Sequence, residues 1–118
     1  NTSLTRGAFD SLARHWGRAN PDGRIELASD PAHRLVNPVL YRIEEVLACW
    51  RKVSAEVLWV TGADTTMKEV LKLSDEDLAA RKACLARLSD HVVPESGHML
   101  HHDQPERLAT LIEAFLKA

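Results

Sequence analysis

Residues 91–105 read HVVPESGHMLHHDQP and hold four imidazoles: His91, His98, His101 and His102. Histidine is a metal ligand, a general base near neutral pH, or a polar surface residue. The metal reading needs at least three convergent ligands. His98 and His102 stand at i and i+4, but the stretch between them reads as a loop, and no Glu lies between them as in a helical zinc motif. A metal site is therefore not expected, and His101 and His102 read as polar turn residues leading into a helix that Asp103 starts. His98 differs from the other three. It follows Gly97, just after the short apolar stretch His91–Pro94 and just before a helical pattern. A base in that position needs a carboxylate to fix its tautomer and stabilise its protonated form. Asp64, in the loop GADTT after another apolar run, is placed to be that carboxylate.

The elements that must position these two residues follow from periodicity. Residues 5–18 read as a helix, with Phe9, Leu12, Ala13 and Trp16 on one side. Residues 19–37 carry Pro21, Gly23 and Pro31 and read as a connector, with a short strand at Arg24–Ala28. A helix is expected from Asn37 as N-cap and Pro38 at its first position, with Val39, Leu40, Ile43, Val46, Leu47 and Trp50 as its stripe. In residues 56–61 (EVLWVT), Val57, Leu58, Trp59 and Val60 are apolar without alternation and the run ends at Gly62, the pattern of a strand buried on both faces. A helix is expected from Ser74 to Leu88, opened by Ser74 and Asp77 at capping-box spacing. A second strand is expected at 91–94. The last helix is expected from Asp103, with Asp103 and Glu106 at capping-box spacing and Leu108, Leu111, Ile112, Phe115 and Leu116 as its core stripe. Trp16, Trp50 and Trp59 read as packing residues.

Strands separated by helices imply a parallel sheet with crossover connections, hence an α/β fold. In such a sheet the functional loops lie at the carboxyl ends of the strands, which is where Asp64 and His98 fall. Two parallel strands leave two open edges, and four amphipathic helices have little sheet to cover. The pattern is one end of a larger doubly wound fold, completed by more polypeptide or by another copy of the chain.

On these residues the chain resembles the α/β-hydrolase fold superfamily. VLWVTGADTT resembles that family's penultimate strand and acid-bearing loop. HVVPESGHMLHHDQPERLATLIEAFL resembles its last strand, catalytic-histidine loop and final helix, and SGHMLHHDQPE matches its pattern of Gly-His, a short spacer, an acidic residue and Pro-Glu. The resemblance implies the C-terminal part of an α/β-hydrolase fold, incomplete as given. Residues 1–54 would be the end of a cap with connecting helices, and residues 55–118 the C-terminal part of the core. It implies a triad of nucleophile, acid and histidine in that chain order, with His98 as base and Asp64 as acid. The family usually places its acid three residues after the strand-ending glycine. Here that position is Thr65, and Asp64 is one residue early. No Gly-x-Ser-x-Gly elbow occurs in the sequence, so this chain alone should be inactive. A nucleophile upstream, Ser or Asp, would complete an enzyme acting on a small, ester-like, apolar substrate without a cofactor. The alternative expectation is a non-catalytic hydrolase-like module for interaction or oligomerisation.

Composition narrows the setting. Among 118 residues, 15 basic and 17 acidic side chains leave a formal net charge of −2, with no basic stripe for nucleic acid. No apolar run in the sequence is nearly long enough to cross a membrane. Cys49 and Cys84 lie on apolar faces of expected helices and read as buried, reduced thiols, and no signal-peptide pattern is visible, which points to the cytoplasm.

Overall fold

The computed structural model describes residues 6–117. These form two compact units that divide between Tyr41 and Arg42, and each is taken by itself. The functional division expected at 54/55 and the compact units therefore part company over one helix, residues 43–50, which packs with the strands that follow it.

In the first unit, α1 (Arg6–Trp16) runs into a small antiparallel hairpin of β1 (Gly17–Ala19) and β2 (Ile25–Leu27). Thr5, the first residue of the helix expected here, lies outside the described residues. The turn Asn20-Pro21-Asp22-Gly23 closes the hairpin, with Gly23 N–H donating to Asn20 O at 2.9 Å and Gly23 at φ +78, where only glycine sits without strain. Arg18 and Glu26 face each other across the strands and pair at 2.9 Å. That guanidinium, helped by the Asn20 amide, holds the Glu26 carboxyl below its ordinary range. One strand of this hairpin is the one expected at Arg24–Ala28; the other, β1, takes Gly17 and Arg18 from the end of the expected helix and Ala19 from the expected connector. Trp16 is 55% exposed, more open than the packing role expected of it implies.

The helix expected from Asn37 begins instead at Ile43, as α2 (Ile43–Trp50). The Asn37 side chain does accept a backbone N–H, that of Val39 at 2.9 Å, but the result is a local turn that stops there. The backbone is extended again at Arg42 (φ −118, ψ 115), and Val39 and Leu40, assigned to the buried stripe, are exposed.

The unbroken apolar run forms β3 (Val57–Gly62), half-buried along its length. A short turn of helix, α3 (Met67–Val70), and then α4 (Asp75–Lys82) carry the chain back to β4 (Leu88–Val93). β4 lies parallel to β3 in the register Val57↔Leu88 through Gly62↔Val93. The Ser74–Asp77 capping box is present, with both reciprocal bonds at 3.0 and 3.1 Å. The helix it opens ends at Lys82 and not at Leu88. Residues 83–87 are needed for the return, because Leu88 already pairs with Val57. Lys82 bridges the layers: its ammonium pairs with Asp90 at 2.6 Å and stands 5.2 Å from the ring centre of Trp59. Trp50 packs edge-on against Trp59 at 5.9 Å, so both are packing residues as expected.

Past the loop after β4 come α5 (Leu100–Asp103) and α6 (Pro105–Lys117). Asp103 thus ends α5 instead of opening the last helix. Leu108, Leu111 and Phe115 of α6 are half-buried, whereas Ile112 and Leu116 of the expected core stripe are exposed. Cys49 is exposed and Cys84 half-buried, so neither is the fully buried thiol expected; both are free.

Two side chains among the described residues are almost fully buried, Val93 (2% exposed) and Ser96 (1%). Both lie at the carboxyl end of the sheet. No helix among the described residues is long and apolar enough to cross a membrane.

Candidate functional site

Because β3 and β4 are parallel, the loops that follow them leave the sheet at the same end. Four contacts lock this junction, three of them between the two segments and one within the second. Ala63 N–H donates to Val93 O at 2.8 Å, and Asp64 N–H donates to Ser96 O at 2.9 Å. The Ser96 hydroxyl turns back to donate to Val93 O at 2.9 Å. Gly62 allows the fourth: a Cβ there would stand 2.2 Å from Gly97 O and 2.4 Å from Ser96 O. Both are backbone atoms, so a side chain at position 62 could be accommodated only by separating strand from loop.

The far side of the His98 loop is held by the start of the C-terminal helices. Gly97 N–H donates to Asp103 Oδ2 at 2.9 Å, and the Gln104 amide donates to Glu95 O at 3.2 Å. Glu95 sits at φ +55, a left-handed conformation that few non-glycine residues adopt. The loop is therefore fixed at its backbone while His98, at its crest, is exposed.

Asp64 and His98 thus lie on adjoining loops, with the Asp64 amide bonded to the carbonyl two residues before His98. Their side chains are not joined: no hydrogen bond or ion pair links carboxylate to imidazole among the described residues. Asp64 is exposed. A cavity of about 320 Å³ beside His98 is lined by Trp59, Val60, Thr61, Gly62, Thr65, Met67, Leu71 and Leu100. Thr65, at the position where the resembled family usually carries its acid, lines that cavity and Asp64 does not. The walls are mostly apolar, with His98 the titratable group among them. A larger cavity of about 580 Å³, lined by His15, Trp16, Leu27, Ala28, Ser29 and His33, belongs to the first unit and contains neither His98 nor Asp64.

The four histidines separate. His91 is inside β4 rather than at its start, on an exposed position. His101 and His102 fall in α5, their rings 4.0 Å apart and tilted by 45°. No three His, Cys, Asp or Glu side chains among the described residues converge on a point where a metal ion could sit. Sequence reasoning passed over Ser96, Gly97, Asp103 and Gln104 as supports of the loop. The close spacing of a Gly-His pair and an acidic residue was visible, but not that the acid reaches back to the glycine amide.

No protein-family model matches the chain, and no curated protein matches it. Solved structures do. The fold superposes on a novel esterase, Rv0045c, from Mycobacterium tuberculosis with a TM-score of 0.76 at 17% identity, over 98% of this chain and 38% of that one. A second structure of that esterase, described with its inhibition by transition metals, gives 0.75 at 18% identity, over 95% and 36%. An E-2-(acetamidomethylene)succinate hydrolase gives 0.72 at 20% identity, over 98% and 40%. The chain spans about two-fifths of the length of these proteins. What the likeness establishes is the fold: this is part of an α/β-hydrolase fold, its parallel strands flanked by helices.

Proposed function

We propose that this chain supplies the acid and the base of an α/β-hydrolase active centre, in a complete polypeptide that hydrolyses a small, ester-like, apolar substrate. One observation carries the reading. The Asp64 and His98 loops are bonded to one another at the carboxyl end of two paired parallel strands, over a glycine that only close approach requires. The solved neighbours are named as an esterase and a hydrolase, which agrees with it.

In this reading His98 takes the proton of a nucleophile carried by polypeptide outside residues 1–118. With a serine nucleophile, its oxygen adds to the ester carbonyl. His98 then returns the proton to the leaving alkoxide, and the acyl group stays on the serine. A water molecule, deprotonated by the same imidazole, then adds to the acyl carbon, the acyl–serine bond breaks, and His98 returns the proton to the serine oxygen as the acid leaves. Asp64, free to rotate on a backbone that is held, turns its carboxylate to the ring nitrogen opposite the reacting one and stabilises the imidazolium. An aspartate nucleophile would leave His98 the task of activating water. The apolar walls contributed by Met67, Leu71 and Leu100 suit a small apolar group on the substrate. No cofactor enters these steps. Residues 1–54 would then be the end of a cap, and the two free thiols suit a cytoplasmic setting.

The test is His98→Ala in the complete polypeptide, assayed on p-nitrophenyl acetate. Turnover should fall by at least about 10³-fold with an unchanged melting temperature; near wild-type turnover would refute the role of His98. Asp64→Asn should cost about 10³- to 10⁴-fold through loss of the correct tautomer. The second reading, a non-catalytic module for interaction or oligomerisation, is favoured by the exposed apolar side chains of Val92 and Leu116. A complete polypeptide that self-associates and hydrolyses no ester would establish it.

A further inference from the structure

We infer that Asp103 is a positioning residue for His98: its carboxylate holds the Gly97 amide and thereby fixes the direction from which the imidazole leaves the loop. The inference rests on the reading of His98 as the base. Gly97 is pinned from two sides. Toward the sheet, its carbonyl and that of Ser96 lie against Gly62 with no room for a methyl group. Toward the helices, its N–H donates to Asp103 Oδ2 at 2.9 Å, and that oxygen also lies 3.6 Å from where a Cβ on Gly97 would stand. The bond is half-buried and its acceptor is charged, which makes it stronger than a neutral amide contact. The next residue, Gln104, holds Glu95 O at 3.2 Å, so two consecutive residues clasp the loop at two backbone points. Glu95 keeps its left-handed φ of +55 inside this clasp.

The short helix α5 explains how an acid so near in sequence reaches back. It begins at Leu100, directly after the loop, and its single turn brings Asp103 under Gly97. A carboxylate at this place does not touch substrate or the reacting atoms. It keeps the residue before His98 from swinging, and a loss of about 1 Å in the placement of a catalytic group is enough to slow a reaction about 10²-fold.

The experiment compares His98→Ala, Asp103→Ala and Asp103→Asn in the complete polypeptide with p-nitrophenyl acetate as probe. Asp103→Ala should lower kcat about 10- to 100-fold with KM unchanged. Asp103→Asn keeps a side-chain oxygen that can accept from Gly97, and should recover kcat to within a few-fold of wild type. An inactive His98→Ala beside a fast Asp103→Ala would overturn the positioning role alone. An active His98→Ala would overturn the base and this inference with it. Equal damage from Asn and Ala would also overturn it, since the held amide would then not be what matters. One further measurement needs no variant: the Gly97 amide should exchange its hydrogen slowly in the wild-type protein, and exchange at the rate of an open loop would sink the inference.

Discussion

Val92 and Val93 are neighbours on one strand and the same kind of residue, yet one is 64% exposed and the other 2%. The difference divides the second unit into two regions. At the carboxyl end of the sheet, Gly62, Val93 and Ser96 close on one another through backbone contacts that this chain makes entirely by itself. Along the faces, β4 and the amphipathic last helix leave Val92, Ile112 and Leu116 in water. The junction under the candidate site is thus finished locally, while the hydrophobic layers around it are not. Burial of apolar surface is the main favourable contribution to folding, so what is complete here is the geometry of a site rather than the stability of a domain.

Three experiments would break or sharpen that contrast. The largest effect concerns the open faces: residues 1–118 alone should self-associate or unfold in urea without a cooperative transition, as judged by sedimentation and circular dichroism. A monomer with one sharp transition would mean that the faces are adequate as they stand. The next concerns the junction. Gly62→Ala in the complete polypeptide forces a methyl group into two carbonyl oxygens and should lose about 3 kcal/mol in urea unfolding, together with any activity that depends on His98. A loss below about 1 kcal/mol would show that strand and loop can part easily. The smallest effect compares the two valines directly. Val93→Ala should cost about 2 kcal/mol and Val92→Ala less than about 0.5 kcal/mol. Equal losses would show that Val92 acquires cover in the complete polypeptide.

How much of this was legible in the sequence depended on whether the signal was local. Val57–Val60 was readable because an unbroken β-branched and aromatic run has few other uses, and the Ser74–Asp77 box because both its bonds lie within one turn. β4 starts three residues before the expected 91–94, through Ser89 and Asp90, which carry no strand signal of their own; Asp90 finds its partner in Lys82, on a different element. Asn37-Pro38 misled for the opposite reason. The cap-like bond to Val39 does form, but nothing propagates it, and the helix waits until Ile43. The hairpin strand at Gly17–Ala19 could have been found from Asn-Pro-Asp-Gly, which carries its own turn chemistry. At the site, His98 and Asp64 could be placed on neighbouring loops from strand order alone. The distance between their side chains could not, and neither could the grip of Asp103 on Gly97, which depends on a single short helix turning back beneath the loop.

The close contact at Gly62 has one more consequence, for alignment. Slide β4 by one residue along β3 and either Thr61 or Ala63 would arrive beneath the Ser96 and Gly97 carbonyls, each with a side chain in the way. Side chains in a strand alternate between faces, so such a slip would also turn every residue of β4 over. Gly62 acts as the notch of a keyed joint: the two strands can close fully in one alignment, the one that sets Gly62 opposite Val93 and hands the Asp64 amide to Ser96.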